Sequence, residues 1–169
     1  NGWTEGFGDY GYDADGNKVP LYTYTLDEDN NATITGYKGN AAYLHIPETI
    51  DGYTVVGIGE GVFRKKGQIL SVVIPDTVTY IGSHCFEECE KLSEVKLSSN
   101  IEKLESAAFG NCQELKTLTI PKTLTRAGGE YGFGQYCYGP FYNCKNLKEV
   151  IVEQGIKTIP SNLFAKCYG

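Results

Sequence analysis

Apolar and polar residues alternate with a period of two across Leu92-Ser93-Glu94-Val95-Lys96-Leu97, where Val95 and Leu97 flank Lys96, as in a short strand with one buried face. A small turn follows, then the apolar residues Ile101 and Leu104. Ala108, Phe109 and Cys112 come next, at spacings of three and four that predict a short helical turn. This order of elements recurs along the chain. Phe63, Phe86 and Phe109 are 23 residues apart, Phe141 follows after 32 and Phe164 after a further 23. Cys89, Cys112, Cys144 and Cys167 repeat the intervals 23, 32 and 23. So do Ile69, Leu92, Leu115 and Leu147, and so do Ile74, Leu97, Ile120 and Val152. Columns that share one set of offsets define a repeat architecture. A unit of 23 residues cannot bury its own apolar face, so successive units must stack.

Five units are read from the spacing, over residues 43–66, 69–91, 92–114, 115–146 and 147–169. Pro47, Pro75 and Pro121 end the first strand of three units, where a missing N–H closes the ladder. Gly59, Gly82 and Gly128 follow the second apolar pair and predict a tight corner. Five rungs about 4.8 Å apart make a slab on the order of 20–25 Å tall. Two units carry insertions. Extra residues between Ile50 and Ile58 predict a protruding turn at Asp51-Gly52-Tyr53, and nine extra residues fall in GEYGFGQYCYGP, residues 129–140. Ahead of the repeats, Tyr22-Thr23-Tyr24-Thr25-Leu26 and Ala32-Thr33-Ile34-Thr35-Gly36-Tyr37, joined by a polar turn, predict a hairpin that caps the first rung. Residues 1–42 are thus read as an irregular lead-in and capping β-hairpin, and residues 43–169 as the solenoid.

The segments VVIPDTVTYIGSHCFEEC, LTIPKTLTRAG and LHIPETIDGYTVVGIGEGVF resemble the BspA-like leucine-rich repeats, whose units run through L-x-x-h-x-h-P, an I-G step and A-F-x-x-C. The resemblance covers residues 43–169. It implies an α/β protein, a right-handed leucine-rich-repeat solenoid with short strands and short helical turns. It further implies a secreted or surface-attached microbial protein that binds host or bacterial partners, often as an adhesin. The chain departs from the pattern at Cys85, at Leu97-Ser98 in place of the Ile-Pro step, and in the aromatic insertion.

Lys and Arg total 15 against 21 Asp and Glu, a net charge of -6 that argues against nucleic acid and anionic membrane as partners. No apolar run approaches the roughly 18 residues that span a bilayer. A chain that starts at Asn1 and has no Met reads as a processed or truncated piece. Four of the six Cys occupy one repeat column, where they are expected to be buried reduced thiols rather than disulfides or zinc ligands, and Cys137 lies outside the columns. His45 and His84 have no visible orienting carboxylate, so no triad is expected. Asp13-Ala14-Asp15-Gly16-Asn17 lacks the Gly and Glu positions of a calcium loop and reads as a solvated turn. No metal, cofactor or catalytic residue is assigned.

Strand positions expected to face outward include Ser71 and Val73, Glu94 and Lys96, Thr117 and Thr119, and Glu149 and Ile151, a mixed surface without an aromatic. Interaction hot spots favour aromatic side chains, so Tyr131, Phe133, Tyr136 and Tyr138 in the insertion are the binding candidates, against the reading of a loop packed on itself beside Tyr142. Val150, Val152, Ile156 and Phe164 predict an uncapped apolar end that favours self-association through the C-terminal rung. Together these features point to a non-catalytic binding module, secreted or at the cell surface, with a protein or surface glycan of host or neighbouring cells as partner. The alternative is a structural spacer within a larger surface protein.

Overall fold

The structure, a computed structural model, describes residues 9–12, 14–128 and 138–168. Its regular elements are strands: β1 (Tyr10–Tyr12), β2 (Lys18–Pro20), β3 (Tyr22–Leu26), β4 (Ala32–Tyr37), β5 (Tyr43–His45), β6 (Thr49–Ile50) and β7 (Tyr53–Ile58). Then come β8 (Ser71–Val73), β9 (Tyr80–Ile81), β10 (Glu94–Lys96), β11 (Lys103–Leu104), β12 (Thr117–Ile120), β13 (Arg126–Ala127) and β14 (Glu149–Val152). The period-two pattern places the strands of the first sheet in parallel register, Leu44 beside Val72 and Val72 beside Val95, with Leu118 beside Val150 in the later rungs. The second apolar pair of each unit builds a second parallel sheet through β7, β9, β11 and β13.

A third backbone ladder joins the Phe-containing turns. Phe63 N–H donates to Cys85 O at 2.8 Å, Phe86 N–H to Ala108 O at 2.7 Å, Phe109 N–H to Pro140 O at 2.7 Å and Phe141 N–H to Leu163 O at 3.0 Å. No helix forms where the Ala-Phe-x-x-Cys spacing predicts one, so among the described residues the expected α/β class gives way to strands and turns. The backbone shows why. The second residue after each Phe is left-handed: Lys65 (φ 61°), Glu88 (60°), Asn111 (58°), Asn143 (57°) and Lys166 (59°). Gly61, His84, Ala107 and Asn162, two residues before a Phe, are left-handed as well. Each non-glycine residue in that region costs roughly 1–2 kcal/mol and interrupts a right-handed helix. In return, alternate N–H groups point along the stack to the next rung while those between close local turns, such as Lys66 N–H to Phe63 O at 3.2 Å.

The core runs the length of the stack. Phe63 and Phe86 lie 4.8 Å apart between ring centroids, Phe86 and Phe109 5.0 Å, Phe109 and Phe141 5.2 Å, and Phe141 and Phe164 5.8 Å. Tyr37 of the hairpin continues this column, 5.1 Å from Phe63. The predicted hairpin forms, with β3 antiparallel to β4, and β4 joins the second sheet by pairing in parallel with β7, burying Ala32 and Ile34. The lead-in also holds a shorter hairpin, β1 with β2. Gly82 and Gly128 are required by proximity rather than by φ: a Cβ on Gly128 would sit 2.3 Å from Ser106 N, and one on Gly82 2.7 Å from Glu60 N. The first insertion becomes an antiparallel turn between β6 and β7, with Asp51 (φ 51°) and Gly52 (φ 87°) both left-handed at its tip.

Candidate binding surface

The repeated apolar residues are spent on the core, so the variable residues between them form the surface. On the first sheet the outward columns run Tyr43, Ser71, Glu94 and then Thr117, Glu149, and beside them His45, Val73, Lys96 and then Thr119, Ile151. Tyr43 is 64% exposed, so this face does carry an aromatic, contrary to the expectation drawn from the later rungs. The signal was the register: Leu44 occupies the Val72 column, which puts its neighbours Tyr43 and His45 outside.

The first sheet is interrupted. Strands β5, β8 and β10 form one ladder and β12 and β14 another, and β10 and β12 pack side by side without a ladder between them. The gap coincides with the rung in which Leu97-Ser98 replaces the Ile-Pro step. A groove of about 460 Å³ lies there, lined on its solvent side by Glu94, Lys96, Thr117, Thr119, Ile151 and Glu153, while Val95, Leu97 and Leu118 beside it are buried in the core. Its corner is pinned by polar bonds: Ser99 N–H donates to Asp76 Oδ1 at 2.8 Å, Asn100 Nδ2 to Asp76 O at 2.9 Å, Thr123 Oγ1 to Ser99 O at 2.9 Å and Lys122 N–H to Glu153 Oε2 at 3.1 Å. The Ser99 bonds, helped by Lys96, hold the Asp76 carboxyl below the usual carboxylate range, so it is ionised at neutral pH.

Of the aromatic candidates in the second insertion, Tyr131, Phe133 and Tyr136 lie outside the described residues, as does Cys137. Tyr138 is 39% exposed and meets Tyr142 edge-on with centroids 4.7 Å apart, while its carbonyl accepts Ala107 N–H at 3.1 Å. Lys166 Nζ donates to the Tyr142 hydroxyl at 3.2 Å. The structure thus places Tyr138 in a small aromatic and cationic cluster, on the turn side of the rung rather than on the first sheet.

His84 does have a carboxylate neighbour. Its Nδ1 lies 3.2 Å from Glu87 Oε2, which Arg64 Nε approaches at 2.7 Å. Neither His84 Nδ1 nor Glu87 Oε2 has hydrogen-bond geometry to a partner, and it is the Arg64–Glu87 ion pair that joins the first two rungs. The adjacent Cys85 is fully buried, its thiol pushed up by burial, and cannot serve as a nucleophile for His84. The column cysteines are free thiols, with Cys89, Cys112 and Cys144 buried and Cys167 half-buried. They do more than fill space. Cys89 Sγ donates to Phe63 O at 3.2 Å, Cys112 Sγ to Phe86 O at 3.4 Å, Cys144 Sγ to Phe109 O at 3.1 Å and Cys167 Sγ to Phe141 O at 3.0 Å. Burial raises the Cys89 thiol to about 11, which keeps it a neutral donor.

Asp51, at the tip of the first insertion, accepts bonds from the Tyr10 and Tyr24 hydroxyls and so ties the lead-in and the capping hairpin to the first rung. These bonds hold its carboxyl below the usual range and push Tyr24 up to about 12. Among the described residues, no group of three or more His, Cys, Asp or Glu is placed to hold a metal ion, and no helix is long and apolar enough to cross a membrane. At the last rung, β14 has one ladder partner, and its core-column residues Val150 and Val152 are 37% and 36% exposed, whereas Val95 and Leu97 in the same columns are buried.

Parallel rungs stacked on an aromatic column, with the repeated apolar positions inward and the residues between them outward, define a leucine-rich-repeat solenoid. The chain belongs to the BspA type leucine rich repeat family, whose model matches residues 56–169 in six copies. That count exceeds the five units read from the spacing, which follow the five strands of the first sheet. A leucine-rich repeat protein from Bacteroides capillosus is similar at 32% identity and a TM-score of 0.64, covering 80% of this chain and 96% of its own. A leucine rich cell surface protein from Faecalibacterium prausnitzii is 29% identical with a TM-score of 0.57, and the match covers 80% of this chain and 42% of that protein. The leucine rich repeat protein of T. pallidum, 20% identical with a TM-score of 0.61 over 88% of this chain and 87% of its own, shares the fold. No curated protein matches the chain.

Proposed function

We propose that this chain is a non-catalytic binding module that acts outside the cell or at the cell surface and engages a protein or surface glycan of host or neighbouring cells. The observation that carries this reading is the division of labour in each rung: the repeated residues are buried, and the residues between them form a solvated surface over the first sheet. The similarity to a leucine rich cell surface protein supports the location. We assign the insertion, with Tyr131, Phe133, Tyr136 and Tyr138, as a contact element, because aromatic side chains give large contact area at low rotamer cost. The test is solid-phase binding of the intact chain to a panel of extracellular-matrix glycoproteins and surface polysaccharides, beside a variant whose insertion is replaced by a three-residue turn copied from Ser83-His84-Cys85. Saturable binding that is lost in the folded short-loop variant supports the assignment. Normal binding by that variant moves the site elsewhere, and no saturable binding by the intact chain refutes the module.

A second surface follows from the exposed core column of β14. Val150 and Val152, exposed on this strand, favour self-association through this rung.

A further inference from the structure

Asp51 and Gly52 form the tip of the first insertion, between β6 and β7. An Asp-Gly pair carries two groups that can react with each other. The Gly backbone nitrogen can attack the side-chain carbonyl carbon of the Asp, because glycine has no Cβ to shield the approach. The surroundings leave that approach open: a Cβ built on Gly52 would meet nothing within 4 Å, and among the described residues the Gly52 N–H donates to no backbone carbonyl. The restraint lies on the other reactant. Asp51 Oδ1 accepts the Tyr10 hydroxyl of the lead-in, and Oδ2 accepts the Tyr24 hydroxyl of the capping hairpin at 2.8 Å. These two bonds fix the carboxylate and hold it below the usual carboxylate range, so it stays ionised at neutral pH. Ring closure must expel one carboxyl oxygen, and an ionised carboxylate held at both oxygens is poorly disposed to lose one.

We propose that Asp51-Gly52 is a site of spontaneous isomerisation that the Tyr10 and Tyr24 hydroxyls keep latent. When the two phenols let go, the carboxylate takes a proton from solvent and the Gly52 nitrogen bonds to Asp51 Cγ. The carboxyl hydroxyl leaves with the Gly52 N–H proton as water, and a five-membered succinimide remains. Water then adds at the Asp51 main-chain carbonyl carbon and breaks its bond to the Gly52 nitrogen, which regains a proton. The product is isoaspartate: the chain runs through Cγ, the mass is unchanged, and water is the only co-reactant. The consequence is particular to this place in the fold. Isomerisation lengthens the turn by a backbone atom and moves the free carboxylate to Cα, away from both hydroxyls. Among the described residues β1 and β2 pair only with each other, and the Asp9 carboxylate accepts the Asp51 N–H, so Asp51 holds the lead-in through its side chain and its backbone together. The isomerised chain therefore loses the docking of the lead-in, while the rungs, whose buried columns do not include Asp51, stay stacked.

The experiment ages the intact chain at body temperature and neutral pH and follows its tryptic peptide 39–64, in which Asp51 is the single Asp. Isomers are separated by chromatography and assigned by electron-transfer fragmentation. The expected result is slow conversion in the intact chain, conversion several-fold faster in Tyr10→Phe/Tyr24→Phe with an unchanged far-UV spectrum, and the fastest conversion in a synthetic peptide 39–64. Chain isolated in the isoaspartate form is expected to be cut by trypsin after Lys18 faster than fresh chain, with the rungs still intact. Should the double variant not fold, Tyr24→Phe alone is expected to convert faster than the intact chain. Equal rates in the intact chain and the synthetic peptide, no isomer in either, or no acceleration when the phenols are removed from a folded chain overturns the proposal. Unchanged protection of Lys18 in the isomerised chain overturns the assigned release of the lead-in.

Discussion

Replacing Phe86 by Ala removes a fully buried ring from the middle of the aromatic column, where it stacks at 4.8 Å and 9° on Phe63 and at 5.0 Å and 2° on Phe109. A buried Phe→Ala change costs about 3–5 kcal/mol through lost transfer energy and the cavity left behind. Two aromatic neighbours place this site at the upper end, since each stacked pair contributes about 0.5–1.5 kcal/mol beyond area burial. Whole-domain stability is about 5–15 kcal/mol, so the variant loses a large fraction of it. Phe164 provides the comparison. It is half-buried and, among the described residues, stacks on Phe141 alone, at 5.8 Å and 27°, so Phe164→Ala is expected to cost about 1.5–2.5 kcal/mol, roughly half the value of a fully buried ring. Urea unfolding followed by far-UV circular dichroism gives both values from the midpoint and slope. Should Phe86→Ala not fold, Phe86→Leu keeps much of the volume and is expected at roughly 1–2 kcal/mol. Equal costs at Phe86 and Phe164, or a cost at Phe86 below about 1.5 kcal/mol, would refute a stack in which each rung is held by the rungs on both sides.

Gly128→Ala is expected to destabilise by about 1–3 kcal/mol, because its Cβ meets Ser106 N at 2.3 Å, whereas Gly67→Ala, with nothing within 4 Å, stays near wild type in the same urea assay. Alkaline pH is expected to destabilise the chain. Cys89, raised to about 11 in the fold, contributes stability that is full below the unfolded thiol value and is lost as pH rises toward 11, at up to about 1.4 kcal/mol per pH unit. Urea midpoints at pH 8 and pH 10 should show this fall, and Cys89→Ala should lessen it; a flat profile contradicts the buried neutral thiol. Sedimentation equilibrium is expected to show concentration-dependent association that Val152→Lys suppresses, and a monomer at every concentration removes the assignment of the β14 surface.

The aromatic column was legible because Phe63, Phe86, Phe109, Phe141 and Phe164 keep their offsets through an insertion, and residues that stack must do so. The turns after them were misread as helical because a spacing of three and four suits a helix and a chain of alternating left-handed turns alike. Gly61, Asn111, Asn143 and Asn162 are the residues that betray the left-handed positions, but Lys65, Glu88 and Lys166, which have no such preference, mask them. The Cys column was recognised as buried, yet a thiol that fills space and one that donates to a Phe carbonyl look the same in a sequence. The groove was not legible at all. Val95 and Leu118 occupy the same column whether or not their strands pair, and Leu97-Ser98 was the one local departure at that place. His84 and Glu87 were within reach, three residues apart, but only the left-handed turn at His84 (φ 57°) brings the ring to the carboxylate.

The central claim is that the variable outer surface of this solenoid binds a partner outside the cell. The most direct measurement is equilibrium binding of the fluorescently labelled intact chain to whole host and bacterial cells, with the unlabelled chain, folded or heat-denatured and thiol-alkylated, as competitor. The account predicts saturable binding to at least one cell type, displaced by the unlabelled folded chain and not by the denatured one. Binding that never saturates, or that the unfolded chain displaces equally well, contradicts it.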